Sequence, residues 1–436
     1  MASNTVTPSD EELRATAISL KGDNPSFGVA RLRALLLQEN SSWTVSEGRL
    51  KKILQSEGLI NNQQQQSSIQ SAEIYPSSRL VEDLDIERWS SLVEVKYFDK
   101  RKGKGLVAKE KIASGETIWK EDPFILAPEW ELYDMQQLSR VCAHCTTPLG
   151  ESALIVRCPA STSTAYCPVR FCTRLCLSRA QRTHPLNCIA QNPASAPLLA
   201  FARKNNWLGL HALAQCTARL LLDAQSDDQR LLEDDWKIVS SLAVLGMEER
   251  AKGIWFGGSE PDRPTWKKAH KLYLHAFDVP MTPAEQKKLA RFVKKQLPPH
   301  IHQALFPYEE FLRGLGRMSL NLEGHGGLYT LHSHLNHDCD PNVSVRHFDQ
   351  RTALSRITLV ARRDIEPGEE LMVTYVDPNM NVRGRRNKLG AWNFGTCKCK
   401  RCLEEEKTEK AGGQGSMKDK DMEDLEKELK AGLGVS

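Results

Sequence analysis

No stretch of the 436-residue chain carries the 18 or so apolar residues that a membrane helix needs, and the opening MASNTVTPSDEELRATAISL has no basic region leading into an apolar run. A membrane span and a secretory leader are therefore both unexpected, and an intracellular setting is expected. Strong charge of one sign is missing as well. The net charge is +4 over the whole length, too weak without a local patch to argue for nucleic acid or an acidic membrane. There is no internal repeat. With 40% hydrophobic and 26% charged residues, what is left is the composition of a soluble globular protein long enough for two or three cooperating units.

Cysteine is what the chain does have. Of twelve, seven lie between Cys142 and Cys188 and three more between Cys397 and Cys402, and clustered cysteines in a reducing compartment point to metal rather than disulfides. The first cluster reads Cys142-x2-Cys145, Cys158, Cys167, Cys172-x3-Cys176 and His184-x3-Cys188. Eight soft ligands suffice for two closed tetrahedral zinc sites, which are structural rather than catalytic. If the ligands interleave, one ion takes Cys142, Cys145, Cys172 and Cys176, and the other takes Cys158, Cys167, His184 and Cys188. Cys397, Cys399 and Cys402 are one ligand short of a third site, and Cys339 is the candidate fourth. Cys216, on an apolar helical face, is read as an inert core residue.

Apolar spacing in VARLRALLLQEN and SEGRLKKILQSEGLI predicts two short helices, with Ser46 as N-cap and Gly58 as stop. The Gln/Ser-rich stretch after residue 60 reads as a linker. Residues 92–127 alternate like three short strands around turn signals at Lys102–Gly105 and Ser114–Gly115. Residues 195–320 are helical by pattern, with Leu210, Leu213, Thr217 and Leu220 on one face and Leu289, Phe292 and Val293 on another. Strands return in VSVRHF, LSRITLVARRDI and EELMVTYV. Neither strand group alone closes a core, so one β-rich domain with a large insertion is expected. The charged tail from 404 is expected to be disordered or a lone solvated helix, and the basic run Arg383–Lys388 to cap a helix or steer an acidic surface.

Taken in order, KGKGLVA (102–108), the cysteine cluster, the helical stretch, GLYTLHSHLNHDCDPN, GEELMVTY and CxCxxC resemble the SET-domain lysine methyltransferases of the SMYD-like kind, in which a MYND zinc finger interrupts the SET domain, and most of all a fungal branch of them. The resemblance covers about 92–402. It implies an α+β fold: a β-rich SET domain interrupted by a MYND-like zinc finger and a helical insert, with a cysteine-rich post-SET zinc segment and a small N-terminal helical module. The expected boundaries are 1–60 for the module, 61–91 for a linker, 92–138 and 321–380 for the two SET parts, 139–190 for the finger, 191–320 for the insert, 381–403 for the post-SET segment and 404–436 for the tail.

By the same resemblance the cofactors are S-adenosylmethionine and three structural zinc ions. Gly103 and Gly105 would let the backbone approach the cofactor closely, with Lys104 between them; Asn321, Asn336, His337 and Tyr375 would contact it too. Phe394 and Trp392 would stack on the adenine or wall the lysine channel. Tyr375 matches the family's catalytic tyrosine, and Tyr329 is placed as a second aromatic at the channel. Methyl transfer is an in-line displacement at an activated carbon, so it needs positioning, electrostatics and a neutral lysine more than a strong acid or base. The implied substrate is a histone tail or nucleosome, and the implied location is the nucleus, on chromatin, with the cytoplasm as a second place. Two rival readings are an adaptor with a vestigial SET fold and a nucleic-acid-binding regulator led by Arg31, Arg33, Lys51 and Lys52 of the N-terminal module. The sequence carries no signal of oligomeric state.

Overall fold

Helical spacing at the N-terminus builds three helices where two were expected: α1 (Asp10–Asp23), α2 (Val29–Glu39) and α3 (Glu47–Ser56). The computed structural model describes residues 6–24, 29–57, 75–81, 83–252, 261–347, 355–390 and 392–412. The additional helix, α1, forms because Leu13, Ala17 and Leu20 recur at helical spacing and because Ser9 and Glu12 close a capping box, each side chain accepting the other's backbone N–H. Ser46 caps α3 as expected, accepting the Arg49 N–H at 3.3 Å; Gly58 lies outside the described residues. Leu13, Leu20, Leu32, Leu36, Leu50 and Leu54 give this unit a core of its own, and contacts divide the chain into residues 1–73 and 74–436.

In the second unit β1 (Val93–Asp99) and β2 (Gly103–Ala108) pair as an antiparallel hairpin. Asp99 sets its turn by accepting the N–H groups of Arg101 and Lys102, each at 2.7 Å. The turn therefore lies before Gly103, and Gly105 is in the strand. β3 (Thr117–Glu121) and β4 (Ile125–Leu126) follow, then α4 (Trp130–Gln137). The cysteine-rich segment holds β5 (Val156–Arg157), β6 (Arg170–Phe171), α5 (Arg174–Ala180) and α6 (His184–Asn187). Then come α7 (Ser195–Lys204), α8 (Leu208–Asp223), α9 (Gln229–Ser241), α10 (Met247–Arg250), α11 (Arg263–Phe277), α12 (Pro283–Leu289), α13 (Pro299–Leu305) and α14 (Tyr308–Asn321). The closing strands are β7 (Gly327–Leu328), β8 (Asn336–His337), β9 (Val343–Arg346), β10 (Ile357–Ala361) and β11 (Glu370–Val373). α15 (Val382–Gly390) and α16 (Lys400–Gly412) end the described chain.

The two strand groups do build one domain. One sheet runs β1-β2-β11-β8 and another β3-β10-β9, so each mixes strands from before and after the insertion. Leu106, Ile112 and Trp119 from the first group share a core with Leu335, Leu359 and Leu371 from the second. The helical insert has a separate and larger core, in which Leu210, Leu213 and Leu220 are buried on the expected face and the Thr217 hydroxyl meets the Tyr273 hydroxyl at 2.9 Å.

Four expectations need correction. The helix through Leu289 stops there, and Phe292 and Val293 pack on the insert core from the turn that follows. The expected linker is structured from residue 75: Ser77 pairs with Val244, and Ile86 and Trp89 pack on the SET-region core. The tail is not solvated from residue 404, because α16 docks on α15 through Arg385–Glu405 at 2.8 Å and Arg386–Glu406 at 2.9 Å; residues 413–436 lie outside the described residues. Of the basic run, Arg385 is fully buried and Arg386 half-buried, both occupied by those pairs, which leaves Arg383 and Lys388 as its exposed cations. Because Phe311 is fully buried among Tyr273 and His270, Phe311→Ala should cost about 3–5 kcal/mol of stability, measured by chemical denaturation.

Candidate functional site

The twelve cysteines are all free, and the described residues bring eleven of them, with His184, into three groups of four. They are Cys142, Cys145, Cys172 and Cys176; Cys158, Cys167, His184 and Cys188; and Cys339, Cys397, Cys399 and Cys402, with all ligand atoms of a group within 4.8 Å of one another. The pairing is the interleaved one. It arises because the β5–β6 hairpin folds the chain back: Cys145 meets Cys172 at 3.6 Å and Cys158 meets Cys188 at 3.9 Å. Thr173 caps α5 by accepting the Cys176 N–H, which sets Cys176 3.4 Å from Cys172. A tetrahedron of Zn–S bonds near 2.3 Å has edges of about 3.8 Å, so these separations fit zinc, and four soft donors per group leave no open position. Cys339 is the fourth member of the last group, 3.4 Å from Cys402 and 3.9 Å from Cys397. Its surroundings are cationic: the Arg385 guanidinium donates to Cys402 Sγ at 3.4 Å and Arg401 to the Cys339 carbonyl at 3.0 Å.

Beside this third group a cavity of about 710 Å³ is lined by Lys104, Asn321, Asn336, His337, Tyr375, Trp392 and Phe394, among others. Seven residues expected at the cofactor or the channel thus meet, from segments up to 290 positions apart. Asn336 Nδ2 donates to the Lys104 carbonyl at 3.0 Å and to Glu370 Oε1 at 2.9 Å, tying β8 to β2 and β11. His337 accepts the Tyr375 N–H on Nδ1 at 3.0 Å, so Nε2 carries the proton and faces Cys339 Sγ at 3.2 Å. Its ring joins the cavity to the metal group. Tyr375 donates its hydroxyl to the Leu335 carbonyl at 2.6 Å and packs its ring between His337 and Phe394. Burial of the hydroxyl, then the Glu323 and Glu370 carboxylates, push its pKa above the usual tyrosine range although the residue as a whole is 40% exposed, and like any ordinary phenol it is a neutral donor at physiological pH. Burial pulls Lys104 down to about 7; its Nζ donates to the Ser241 carbonyl at 3.1 Å, and no carboxylate among the described residues pairs with it. Asn321 donates to the Ala243 and Arg317 carbonyls at 2.8 and 2.7 Å.

Three expected residues do not line the cavity. The glycines work through their neighbours: a Cβ on Gly105 would stand 2.8 Å from Asn336 Nδ2 and 2.9 Å from Glu370 Oε1, and one on Gly103, at φ +73°, would stand 2.5 Å from Ser78 Oγ. Tyr329 is buried elsewhere, its hydroxyl donating to the Ser355 carbonyl and facing His325 Nε2 at 2.7 Å. This placement does not give it the channel position expected from GLYT.

Other residues that build the site were missed. Buried Glu121 at the end of β3 accepts the N–H groups of Leu331 and His332 at 2.8 and 3.0 Å and so holds the approach to β8. Asn342 acts as a surrogate strand for β11, accepting the Met372 N–H and donating to the Glu370 carbonyl, both at 2.8 Å. The Pro-Asn turn was a visible signal for Asn342; nothing local marked Glu121.

A family model for the SET domain matches residues 103–376. The histone-lysine N-methyltransferase SET5 of Mycosarcoma maydis is 31% identical over 334 residues, which is 70% of this chain and 66% of that protein. Proteins of the same name are 28% identical in Yarrowia lipolytica, over 92% of this chain and 84% of theirs, and 26% identical in Candida albicans, over 99% and 89%. The chain therefore spans about two thirds of the first of these and most of the other two. A solved SET domain of LSMT, bound to lysine and AdoHcy, is 12% identical, covers 79% of this chain and 55% of its own with a TM-score of 0.29, and at that distance says nothing about the site. Atomic metal analysis of the purified protein should find three zinc ions per chain, and Cys339→Ser should lower the content to two, because three thiolates leave a tetrahedral site incomplete.

Proposed function

This chain belongs to the SET-domain family, and on that footing we propose that it is an S-adenosylmethionine-dependent protein-lysine N-methyltransferase acting on a histone tail in the nucleus. The observation that carries the reading is the convergence of Lys104, Asn321, Asn336 and Tyr375 with Trp392 and Phe394 around one cavity beside a closed cysteine site. S-adenosylmethionine supplies a methyl carbon already activated by its sulfonium. The chain's own groups bind, orient and exclude water. Lys104 is the group suited to a ligand carboxylate, because a buried ammonium with one carbonyl partner gains from an anion. Trp392 and Phe394 offer flat apolar faces to a heterocycle or to the aliphatic stem of a lysine. Enclosing the amine between such walls excludes water, and that desolvation helps the substrate lysine arrive neutral. The Tyr375 hydroxyl and the Leu335 carbonyl to which it donates, 2.6 Å apart, form a preorganised dipole pair able to orient an amine without taking its proton.

We read residues 139–190 as a MYND-type finger, which the interleaved ligand pairs support. Three zinc ions would be held in closed, structural sites and take no part in the chemistry. The N-terminal module gives nucleic-acid binding little support: residues 6–57 carry seven acidic and seven basic side chains, and Arg49 is already paired with Asp10.

Two measurements test the reading. With core histones and labelled S-adenosylmethionine, Tyr375→Phe should bind S-adenosylhomocysteine within about twofold of wild type yet lose roughly 100-fold in turnover, the scale of removing one preorganised donor; equal turnover would remove Tyr375 from the role. Lys104 titrates near 7, so it is a cation below that pH and neutral above it. Affinity for a carboxylate-bearing ligand should therefore weaken as pH rises from about 6 to about 8.5, and Lys104→Met should flatten that dependence in calorimetry.

A further inference from the structure

Residues 75–81 precede the SET match, which begins at residue 103, and by composition they belong to a connector. Their geometry is different. The segment runs antiparallel to the loop after α9: the Ser77 N–H donates to the Val244 carbonyl at 3.0 Å and the Val244 N–H returns a bond to Ser77 at 2.8 Å. The Arg79 N–H donates to the Ser241 carbonyl at 3.3 Å, and the Ser241 hydroxyl donates to the Leu80 carbonyl at 3.4 Å. This ribbon is a wall of the cavity, since Pro76 and Ser78 line it. Ser78 Oγ accepts the Lys104 N–H at 3.3 Å and fills the space that a side chain on Gly103 would need. At the other end the Tyr75 ring lies under the Arg101 guanidinium, 4.9 Å from its centroid, and its edge is 3.2 Å from where a Cβ of Gly395 would stand; Arg101 and Gly395 line the cavity too.

The end of α9 and the loop after it, which pair with this segment, also serve the site. The Ser241 carbonyl takes the Lys104 ammonium and the Ala243 carbonyl takes the Asn321 amide. The segment 75–81, the insert loop, the β2 strand and the chain just ahead of Cys397 therefore interlock around one space.

We propose that Tyr75–Arg79 is a strap that forms part of the cofactor-binding site, with Ser78 touching the ligand and Tyr75 acting as a positioning residue that holds the strap against Arg101 and Gly395. The proposal rests on the reading that this cavity takes S-adenosylmethionine or its product. Few backbone hydrogen bonds hold the strap, and Ser77 and Arg79 are exposed, so its local opening is easy and a ligand that packs on it must suppress that opening.

Hydrogen exchange on the full zinc-loaded chain, with and without S-adenosylhomocysteine, tests this directly. Ligand at 100 times Kd can slow exchange by up to ~100-fold, and the Ser77 and Arg79 amides should slow by at least roughly tenfold, together with those of residues 336–338. Tyr75→Ala and Ser78→Ala should each weaken S-adenosylhomocysteine binding by about 5- to 20-fold and raise KM for S-adenosylmethionine more than they lower kcat, with ligand-free unfolding temperature and zinc content unchanged; Tyr75→Phe should recover most of the affinity because it keeps the ring. Protection at 336–338 without protection of the strap, or affinities of both alanine variants within twofold of wild type, would overturn the strap alone. A wild-type protein that binds no S-adenosylhomocysteine would overturn the functional reading and the strap with it.

Discussion

Everything at the site depends on holding β8 and β11 together, although their parallel pairing spans only Asn336–Met372 and His337–Val373. A ladder of two residue pairs is short for strands between which β9 and β10 intervene along the chain. Side chains supply what the ladder lacks. Asn336 bridges to β2 and Glu370, Asn342 serves the backbone of β11, and Glu121 takes two N–H groups just ahead of β8. Each is a buried or half-buried polar group with its partners in place, the condition under which such groups specify one arrangement instead of costing stability. Removing one would strand its own partners away from water.

The insertion between the two strand groups makes this demand larger. Over two hundred residues separate Lys104 from Asn336, yet closing so long a loop costs only slowly more with length. The insert also offsets its own ordering with a separate core around α8, α11 and α14. The joint between insert and SET region is both apolar and polar: Phe124, Ile125 and Leu328 are buried in the insert's core, while the Arg219 guanidinium donates to the Phe124 carbonyl at 2.6 Å and pairs with Asp235, which Arg182 of the cysteine-rich segment also contacts at 2.8 Å. Burial, with Asp235 alongside, raises Asp223 in this network above the usual carboxylate range. The third cysteine group then staples the C-terminal segment to the Asn336–Asn342 loop, and Arg385, buried without exposure, offsets the charge that four thiolates bring.

Within the cavity the same environment sets two opposite outcomes. A low-dielectric wall makes Tyr375 harder to deprotonate and Lys104 easier. The tyrosine is a neutral donor, as a phenol is at physiological pH with or without that push, whereas the lysine is left near the point where a ligand's anion decides its charge. Neither group needs to transfer a proton for an in-line displacement to proceed, which fits a site that works by placement.

The sequence alone was enough for those features whose chemistry is local or depends on residue type. Twelve metal ligands were legible because only cysteine and histidine at such spacings make closed soft sites, and the strands and insert helices because apolar periods of two and 3.6 survive in the chain itself. Tertiary structure alone decided which ligands pair, that residues 75–81 wall the cavity, that Gly105 makes room for Asn336 and Glu370, that Tyr329 faces Ser355 instead of the cavity, and that Arg385 is turned inward. The physical reason is common to all five. Each depends on which distant backbone or side chain occupies the adjoining space, and a one-dimensional pattern carries a residue's own preferences but not the identity of its neighbours across a fold closed over two hundred residues.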